Sequence, residues 1–244
     1  DNVSLGKYSW QWEANPVGSV FTPKVVIHET GHALGLPDYY DYDDAIGPRG
    51  GVGGLDMMDA NRGDHNCFSK WVLDWVAPVY IFGGTQNLSL DASGTSQNCV
   101  MIWPPATPNI FSEYFIAQNR HRVGNDISPW MPGDGMLIWH VDATLNAAGT
   151  NFKYDNSFTD HKLLRLMEAD GLEEIEQNLA GDAGDYYKAG SDFSHCTTPN
   201  SNKYDGSRTN IRISGFSAPG ATMSAQFEHG YSCPTKSWFS AYKT

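Results

Sequence analysis

The segment HETGH at residues 28–32, followed by Asp38, constrains this 244-residue chain more than any other feature of its sequence. On an α-helix, residues i and i+4 share a face, so His28 and His32 can direct two imidazoles at one metal ion. Glu29 lies one residue further round the helix and can act as a general base beside that metal. Two histidines and one carboxylate leave a fourth tetrahedral position open, which is typical of catalytic rather than structural zinc. The pattern therefore predicts Zn²⁺ bound by His28, His32 and Asp38.

The residues around the motif predict a helix over 22–35. Thr22 is a good N-cap, and Pro23 is favoured at the first helical position. Gly35 suits a left-handed C-cap, and Pro37 cannot continue a helix, so the chain should reverse and return the carboxylate that follows. Apolar residues are predicted to pack the other face of the helix against a core: Val25, Val26, Ala33 and Leu34.

Composition favours an acidic, extracellular globular protein. The net charge of −12 argues against nucleic acid and anionic membranes as partners. No apolar run approaches the ~18 residues of a membrane span. The four cysteines allow two disulfides in a secreted protein, with three possible pairings, among Cys67, Cys99, Cys196 and Cys233.

Hydrophobic periodicity predicts an α+β chain. Residues 1–21 are expected to form a strand and a loop, 36–66 an irregular functional loop, 68–76 an amphipathic helix and 171–179 a short helix. Period-two alternation predicts strands at 79–82, 100–103, 114–118, 136–141, 163–168, 211–214 and 223–227.

A second group of acidic residues offers hard oxygen ligands for Ca²⁺. None of them forms the 12-residue loop of an EF-hand, and solvated turn aspartates are the alternative interpretation. The candidate calcium ligands are Asp142, Glu168, Asp170, Asp182 and Asp185.

Several aromatic and histidine residues have open roles. Tyr39 and Tyr40 follow the third ligand, and either could assist an oxyanion, although nothing in the sequence selects one of them. His140 sits in an apolar strand and is expected to be a satisfied core residue. His65 is a candidate to face the cleft.

These motifs resemble those of the immune inhibitor A family of secreted zinc metallopeptidases. Residues 28–41, HETGHALGLPDYYD, are similar to its active-site signature. Further segments follow in the family's order. GGLDMMD at 53–59 resembles the methionine turn, and FSKWVLDWV at 68–76 resembles the helix that comes next. GDGMLIWHVD at 133–142 resembles a strand of the family, and two acidic motifs are matched by EADG at 168–171 and GDAGD at 181–185. The resemblance spans residues 7 to about 228.

The resemblance implies a zincin-type, metzincin-like catalytic domain in which Met58, or Met57 beside it, forms the methionine turn under the metal. Such domains place a sheet and a backing helix before the active-site helix, whereas 27 residues precede His28 here. We therefore expect the C-terminal portion of a catalytic domain, and an N-terminal fragment or prodomain of the same precursor as a partner. The expected parts are a zinc-helix and methionine-turn portion at 1–80, a β-rich subdomain at 81–232 and a tail at 233–244.

The predicted function is a secreted zinc endopeptidase that acts on protein or peptide substrates. A non-catalytic surface or binding module that keeps the fold is one alternative, and the missing N-terminal portion favours it. The intact Glu29 opposes it, because a protein freed from catalysis has no need of this residue. A purely structural zinc site is the other alternative, and it would require a fourth protein ligand.

Overall fold

The computed structural model describes residues 21–43, 45, 51–102, 109–127, 129–157, 160–177 and 179–234. The predicted N-terminal strand lies outside these residues, as does most of the predicted tail. The described part is an α+β structure with more strand than helix. Its α-helices are α1 (Lys24–Ala33), α2 (Met57–Ala60) and α3 (Cys67–Val72). None of these helices has the length and apolar character needed to cross a bilayer.

The described strands form two sheets. One has five strands in the order β1-β3-β4-β5-β6, antiparallel except for the β1–β3 pair, and the other is an antiparallel sheet in the order β2-β9-β8-β7. The strands are β1 (Val79–Ile81), β2 (Gly84–Asp91), β3 (Val100–Ile102), β4 (Glu113–Arg120), β5 (Gly135–Asp142), β6 (Leu164–Leu166), β7 (Phe193–Ser194), β8 (Ile211–Ser214) and β9 (Thr222–His229).

The five-stranded sheet is the central layer and is buried on both faces. In β4, Tyr114 and Ile116 pack into a core with the helical segments, whereas Phe115 and Ala117 pack into a second core with the four-stranded sheet. Strand β5 alternates in the same way, and all eight of its residues are buried. Burial on both faces explains why the sequence of β5 is almost continuously apolar.

The core joins the two portions that were predicted to divide at residue 80. Strand β1 spans that position, and Met58 and Phe68 share one core with Trp139 and Leu164. The helical portion and the strands therefore form one packed unit around the central sheet.

The seven strands predicted from residue 79 onward are all present, with ends that differ by a few residues, and that at 211–214 matches its predicted bounds. Strands β2 and β7 were not predicted. Six of the eight residues of β2 are exposed, so its sequence lacks an apolar alternation, yet it pairs with β9 along its whole length. The helix predicted at 68–76 ends at Val72, and the described residues of 171–179 contain only a 3₁₀ turn at Ile175–Gln177.

The prediction for the apolar face of α1 is wrong within the described residues. Val25, Val26 and Leu34 are 38%, 42% and 51% exposed, and Ala33 is exposed as well. The buried positions of the helix are instead His28 and Gly31. The helix thus turns its histidine-bearing face, rather than its apolar residues, toward the body of the fold.

One disulfide, Cys196–Cys233, is present in the described part of the chain. It attaches the start of the predicted tail to the region around β7. Cys67 and Cys99 are free and buried, so of the two disulfides that the sequence allows, the structure forms one.

Candidate metal centre

The C-terminus of α1 reverses the chain as predicted. Gly35 has φ +101°, its N–H donates to the carbonyl of His32 at 3.0 Å, and the N–H of Leu36 donates to the carbonyl of Gly31 at 3.0 Å. This pair of bonds is a Schellman motif, which satisfies carbonyls that the helix end would leave unpaired. At the other end the helix starts at Lys24, with Pro23 rather than Thr22 at the N-cap position.

The reversal brings three potential ligand atoms together. Asp38 Oδ1 lies 2.9 Å from His28 Nε2 and 3.2 Å from His32 Nε2. Two atoms that bind the same tetrahedral zinc at its usual bond lengths are about 3.3 Å apart. The spacing therefore suits one small metal ion shared by all three residues.

In each imidazole one nitrogen, Nδ1, is hydrogen-bonded to a backbone carbonyl, which leaves Nε2 available to a metal ion. His28 Nδ1 lies 3.0 Å from the carbonyl oxygen of Met57, and His32 Nδ1 lies 2.8 Å from that of Leu36. A carbonyl only accepts, so both Nδ1 atoms carry hydrogen, and in the neutral form of each imidazole the Nε2 atom presents its lone pair. Asp38 Oδ1 is buried and receives no hydrogen bond, although both Nε2 atoms face it. Three acceptors thus converge, an arrangement that a cation would stabilise.

Tyrosine hydroxyls surround the second oxygen of the carboxylate. Tyr42 donates a hydrogen bond to Asp38 Oδ2, and its ring lies 4.8 Å from that of Tyr40. Burial, followed by contact with the Asp38 carboxylate, raises the pKa of both phenols, so both stay protonated and can donate. Tyr39 is fully buried, and its hydroxyl pairs with Ser69 Oγ at 2.6 Å, which makes it a core residue. Tyr42 was missed in the sequence, where only its place four residues after Asp38 hints at a role.

Glu29 directly follows the candidate ligand His28 on α1. Its side chain is half-buried and forms no hydrogen bond or ion pair within the described residues. Burial and the Asp38 carboxylate are the main causes that raise the pKa of Tyr40, and the charge of Glu29 adds to them. The side chain of His32 is 33% exposed, so solvent reaches the same region.

Helix α2 packs against α1 and supports the candidate metal centre. Met58 is fully buried against α1, where a Cβ added to Gly31 would lie 2.5 Å from the Met58 sulfur. The carbonyl of Met57 accepts from His28, and the carbonyl of Met58 accepts from the N–H of Tyr39 at 3.0 Å. Met58, rather than Met57, is therefore the methionine packed under the helix at Gly31.

A buried polar network holds α2 in place. Asp56 is the N-cap of α2, and one of its oxygens accepts from the N–H of Met58 at 2.7 Å. Its other oxygen accepts from the backbone N–H and the side-chain amide of Asn66 at 2.6 and 2.8 Å. Asn66 in turn caps α3 by accepting from the N–H of Ser69 at 2.9 Å. All these donors and acceptors are fully buried, so the network ties the two short helices into one rigid unit.

The central sheet fixes this unit through two side chains of β4. Gln118 Oε1 accepts from the N–H of Cys67 at 2.6 Å, at the start of α3. Arg120 donates from Nη1 to the carbonyl of Leu55 at 3.1 Å and pairs with Asp126 at 2.6 Å. Polar residues near the C-terminal end of β4 thus position the start of α3 and the loop before α2.

The structure brings four of the five candidate calcium ligands into two adjoining groups. Glu168, Asp170 and Asp185 form one, and Asp170 and Asp182 form the other with Glu174, a residue that sequence reasoning missed. Burial is the largest cause that raises the pKa of Glu168 and of Asp185 to about 7, and neighbouring carboxylates add to it.

The fifth candidate, Asp142, belongs to neither group. Its Oδ2 lies 2.7 Å from His161 Nε2, and its Oδ1 accepts from the N–H of Thr144 at 3.1 Å. Asp142 is therefore paired within the end of β5, separately from the other carboxylates.

The two singled-out histidines outside α1 are both buried. His140 Nε2 lies 2.9 Å from Glu113 Oε1, and its ring stacks on that of Tyr204, which confirms a satisfied core histidine. His65 lines a cavity of about 300 Å³ beside α1, together with Ile27 and Met57.

No protein-family model matches this chain, and no curated protein matches it. The chemistry of the site is therefore inferred from its own geometry. Within the described residues, the group of His28, His32 and Asp38 contains no fourth histidine, cysteine or acidic ligand. The arrangement can hold a metal ion with at least one position open to solvent.

Proposed function

We propose that this chain is a secreted zinc-dependent endopeptidase, as its resemblance to the immune inhibitor A family implies. The observation that carries the proposal is the convergence of His28 Nε2, His32 Nε2 and Asp38 Oδ1 without a fourth protein ligand in the described residues. Three nitrogen and oxygen ligands with an open position are typical of catalytic zinc, whereas structural zinc is closed by four.

Two imidazoles and one carboxylate suit zinc, and the neighbouring Glu29 favours hydrolysis. Two imidazoles and one carboxylate also bind non-haem iron in oxygenases. Glu29, however, stands beside the ligands without a partner in the described residues, as a general base for hydrolysis requires. Bound by His28, His32 and Asp38, a zinc ion would supply Lewis acidity that lowers the pKa of a water molecule and polarises the scissile carbonyl.

The chain's own residues have distinct roles in the proposed reaction. Glu29 takes a proton from the attacking water and delivers it to the nitrogen of the departing amine, so that a peptide bond and water become a carboxylic acid and an amine, which at neutral pH are a carboxylate and an ammonium group. Tyr42 orients the carboxylate of Asp38 through its hydrogen bond to Oδ2. Tyr40 lies near the same carboxylate and is 36% exposed. Its hydroxyl is available to donate a hydrogen bond to the oxyanion that develops on the substrate.

Secretion and partners belong to the same proposal. The Cys196–Cys233 disulfide suits an oxidising compartment outside the cytosol. We propose protein or peptide substrates, and an N-terminal fragment or prodomain of the same precursor as a partner.

The experiment is zinc analysis and casein hydrolysis on the wild-type chain and the Glu29→Gln variant. We expect zinc near one per chain in both, and hydrolysis about 10²–10⁴-fold slower in the variant, because only the proton acceptor is removed. Glu228→Gln, a matched change on β9 of the other sheet, should leave both quantities unchanged. Equal hydrolysis by wild type and Glu29→Gln, or bound zinc without any hydrolysis, contradicts the proposal.

A further inference from the structure

A second group of potential ligands lies in the loops that follow β6. One carboxylate oxygen from each of Glu168, Asp170 and Asp185 lies within 4.8 Å of the others. Two oxygens that bind one Ca²⁺ at its usual bond lengths are at most about 5 Å apart. Glu168 and Asp185 are 3% and 1% exposed, whereas Asp170 is at the surface. The group is thus a pocket of acceptors with one side open.

One oxygen of this group is buried without a partner. Asp185 Oδ2 accepts from the N–H of Asp182 at 2.6 Å, but Asp185 Oδ1 has no hydrogen bond and no contact with solvent. No ion pair in the described part of the chain includes Glu168, Asp170 or Asp185. An unpaired buried carboxylate is strongly unfavourable unless a cation or a proton neutralises it.

The backbone is shaped to let the carboxylates approach. A Cβ added to Gly184 would lie 2.2 Å from Asp170 Oδ2 and 2.9 Å from Asp182 Oδ1. A Cβ added to Gly181 would lie 3.1 Å from Asp185 Oδ2. Any larger residue at position 184 would push Asp170 away from the group.

We propose that Glu168, Asp170 and Asp185 bind one calcium ion. All the potential ligand atoms are carboxylate oxygens, which suit hard cations rather than zinc. The group contains no imidazole or thiolate. Irregular loops around a partly open site suit the flexible, high coordination number of Ca²⁺ better than the strict octahedron of Mg²⁺. Asp182 and Glu174 stand at the open side as further anionic groups.

The proposed ion stabilises the loop that precedes α2. The N–H of Gly181 donates to the carbonyl of Gly53 at 2.8 Å, and a Cβ on Gly181 would lie 2.8 Å from the side chain of Leu55. Leu55 directly precedes Asp56, the N-cap of α2. Calcium at Asp185 therefore holds residues 181–185 against the loop before α2, the helix that supports the candidate metal centre. This role is independent of whether that centre is catalytic.

The test is calorimetric titration of the complete chain with CaCl₂, after divalent cations are stripped and with or without one equivalent of zinc restored. We expect one calcium site under both conditions, and a rise of about 5–10 °C in Tm at calcium one hundred times above Kd. Asp170→Asn keeps an acceptor for the N–H of Leu172 but loses one charge, and should weaken binding about tenfold or more. Asp185→Asn should abolish it.

The control is Asp205→Asn, an exposed turn aspartate whose contact with the N–H of Ser207 asparagine can also make. It should bind calcium as the wild type does. Absence of calcium binding in the wild type, or equal binding by wild type and a folded Asp170→Asn variant, overturns the proposal. Circular dichroism establishes that each variant is folded, and the Asp170 variant decides the question if Asp185→Asn fails to fold.

Discussion

His28 donates a hydrogen bond from Nδ1 to the carbonyl oxygen of Met57 at 3.0 Å, and this contact links the ligand helix α1 to the short helix α2. The next carbonyl, that of Met58, accepts from the N–H of Tyr39, which directly follows Asp38. Two successive carbonyls of α2 therefore position both the imidazole and the loop with the carboxylate. Helix α2 and its buried supports therefore hold the ligand helix and the loop with Asp38 in place.

Gly31→Ala should destabilise the chain, although Ala is the better helix former by about 1 kcal/mol. The new methyl would lie 2.5 Å from the sulfur of the fully buried Met58, and overpacking of this kind costs about 1–3 kcal/mol. Urea unfolding measures the difference. Gly83→Ala is the control, because a Cβ there meets nothing within 4 Å, and its effect should stay within about 0.5 kcal/mol.

The double variant with Met58→Ala tests whether this contact is the cause. The new methyl then fills part of the space that the side chain of Met58 leaves, so the combined loss of stability should be smaller than the sum by about 0.5–3 kcal/mol. Additive losses would show that Gly31 and Met58 are not coupled.

Tyr42→Phe should lower zinc affinity by about 10–100-fold, because it removes the donor that orients the carboxylate of Asp38. Competition with a chromogenic chelator measures this affinity. Tyr231→Phe removes the hydroxyl of a tyrosine whose ring packs against Arg212 of β8, in the other sheet, and should leave zinc affinity unchanged. Equal zinc affinity in wild type and Tyr42→Phe would remove Tyr42 from the site.

Asp56→Ala should cost at least about 3 kcal/mol of unfolding free energy, since it leaves the buried backbone N–H groups of Met58 and Asn66 without an acceptor and removes one of the two acceptors of the Asn66 side-chain amide. Asp43→Ala also removes a side-chain acceptor, here for the N–H of Ala45, but that turn is exposed and the loss should stay below about 1 kcal/mol. Urea unfolding measures both losses of free energy. Comparable losses in the two variants would show that the buried network contributes no more to stability than the exposed turn does.

The stability of the chain should fall as pH drops below 6.5, in part because of His140. Burial lowers the pKa of His140 below 6.5, and Arg165 acts in the same direction, against the opposing effects of Glu113 and Asp142. The unfolded chain therefore binds this proton at a higher pH than the folded chain. The stabilising contribution of His140 is complete above pH 6.5 and is lost as pH falls toward its lower folded-state pKa.

Unfolding free energies of wild type and His140→Phe between pH 8 and pH 5 test this sign. Phenylalanine keeps a ring to stack on Phe115 and Tyr204 but does not titrate. The metal-free variant should lose less stability than the metal-free wild type over this interval. An identical pH dependence in the two proteins would show that His140 does not carry the effect.

Much of the candidate site was predictable because its determinants are local in the chain. The spacing of His28 and His32, the C-cap glycine and Asp38 lie within eleven residues, so helix geometry relates them directly. Tyr42 was missed because its role depends on the side-chain direction of a loop residue. The choice of Met58 over Met57 also required the packing against Gly31, which no local rule supplies.

The fold was predictable where burial shapes composition. Strand β5 and the YFIA segment of β4 are buried on both faces and are apolar in sequence, whereas the exposed β2 is a strand because its backbone pairs with β9. The apolar residues of α1 were wrongly expected to lie inside, since an apolar pattern does not specify which face of a helix the rest of the chain covers. The separation of Asp142 from Asp185 likewise depends on long-range topology.

The X-ray absorption spectrum of the zinc-loaded chain tests the central claim most directly. We predict a first shell of nitrogen and oxygen at about 2.0–2.1 Å, with multiple scattering from two imidazoles, and loss of one imidazole in a His32→Ala variant. Sulfur at about 2.3 Å, or a spectrum unaffected by His32→Ala, would contradict the assignment of zinc to His28, His32 and Asp38.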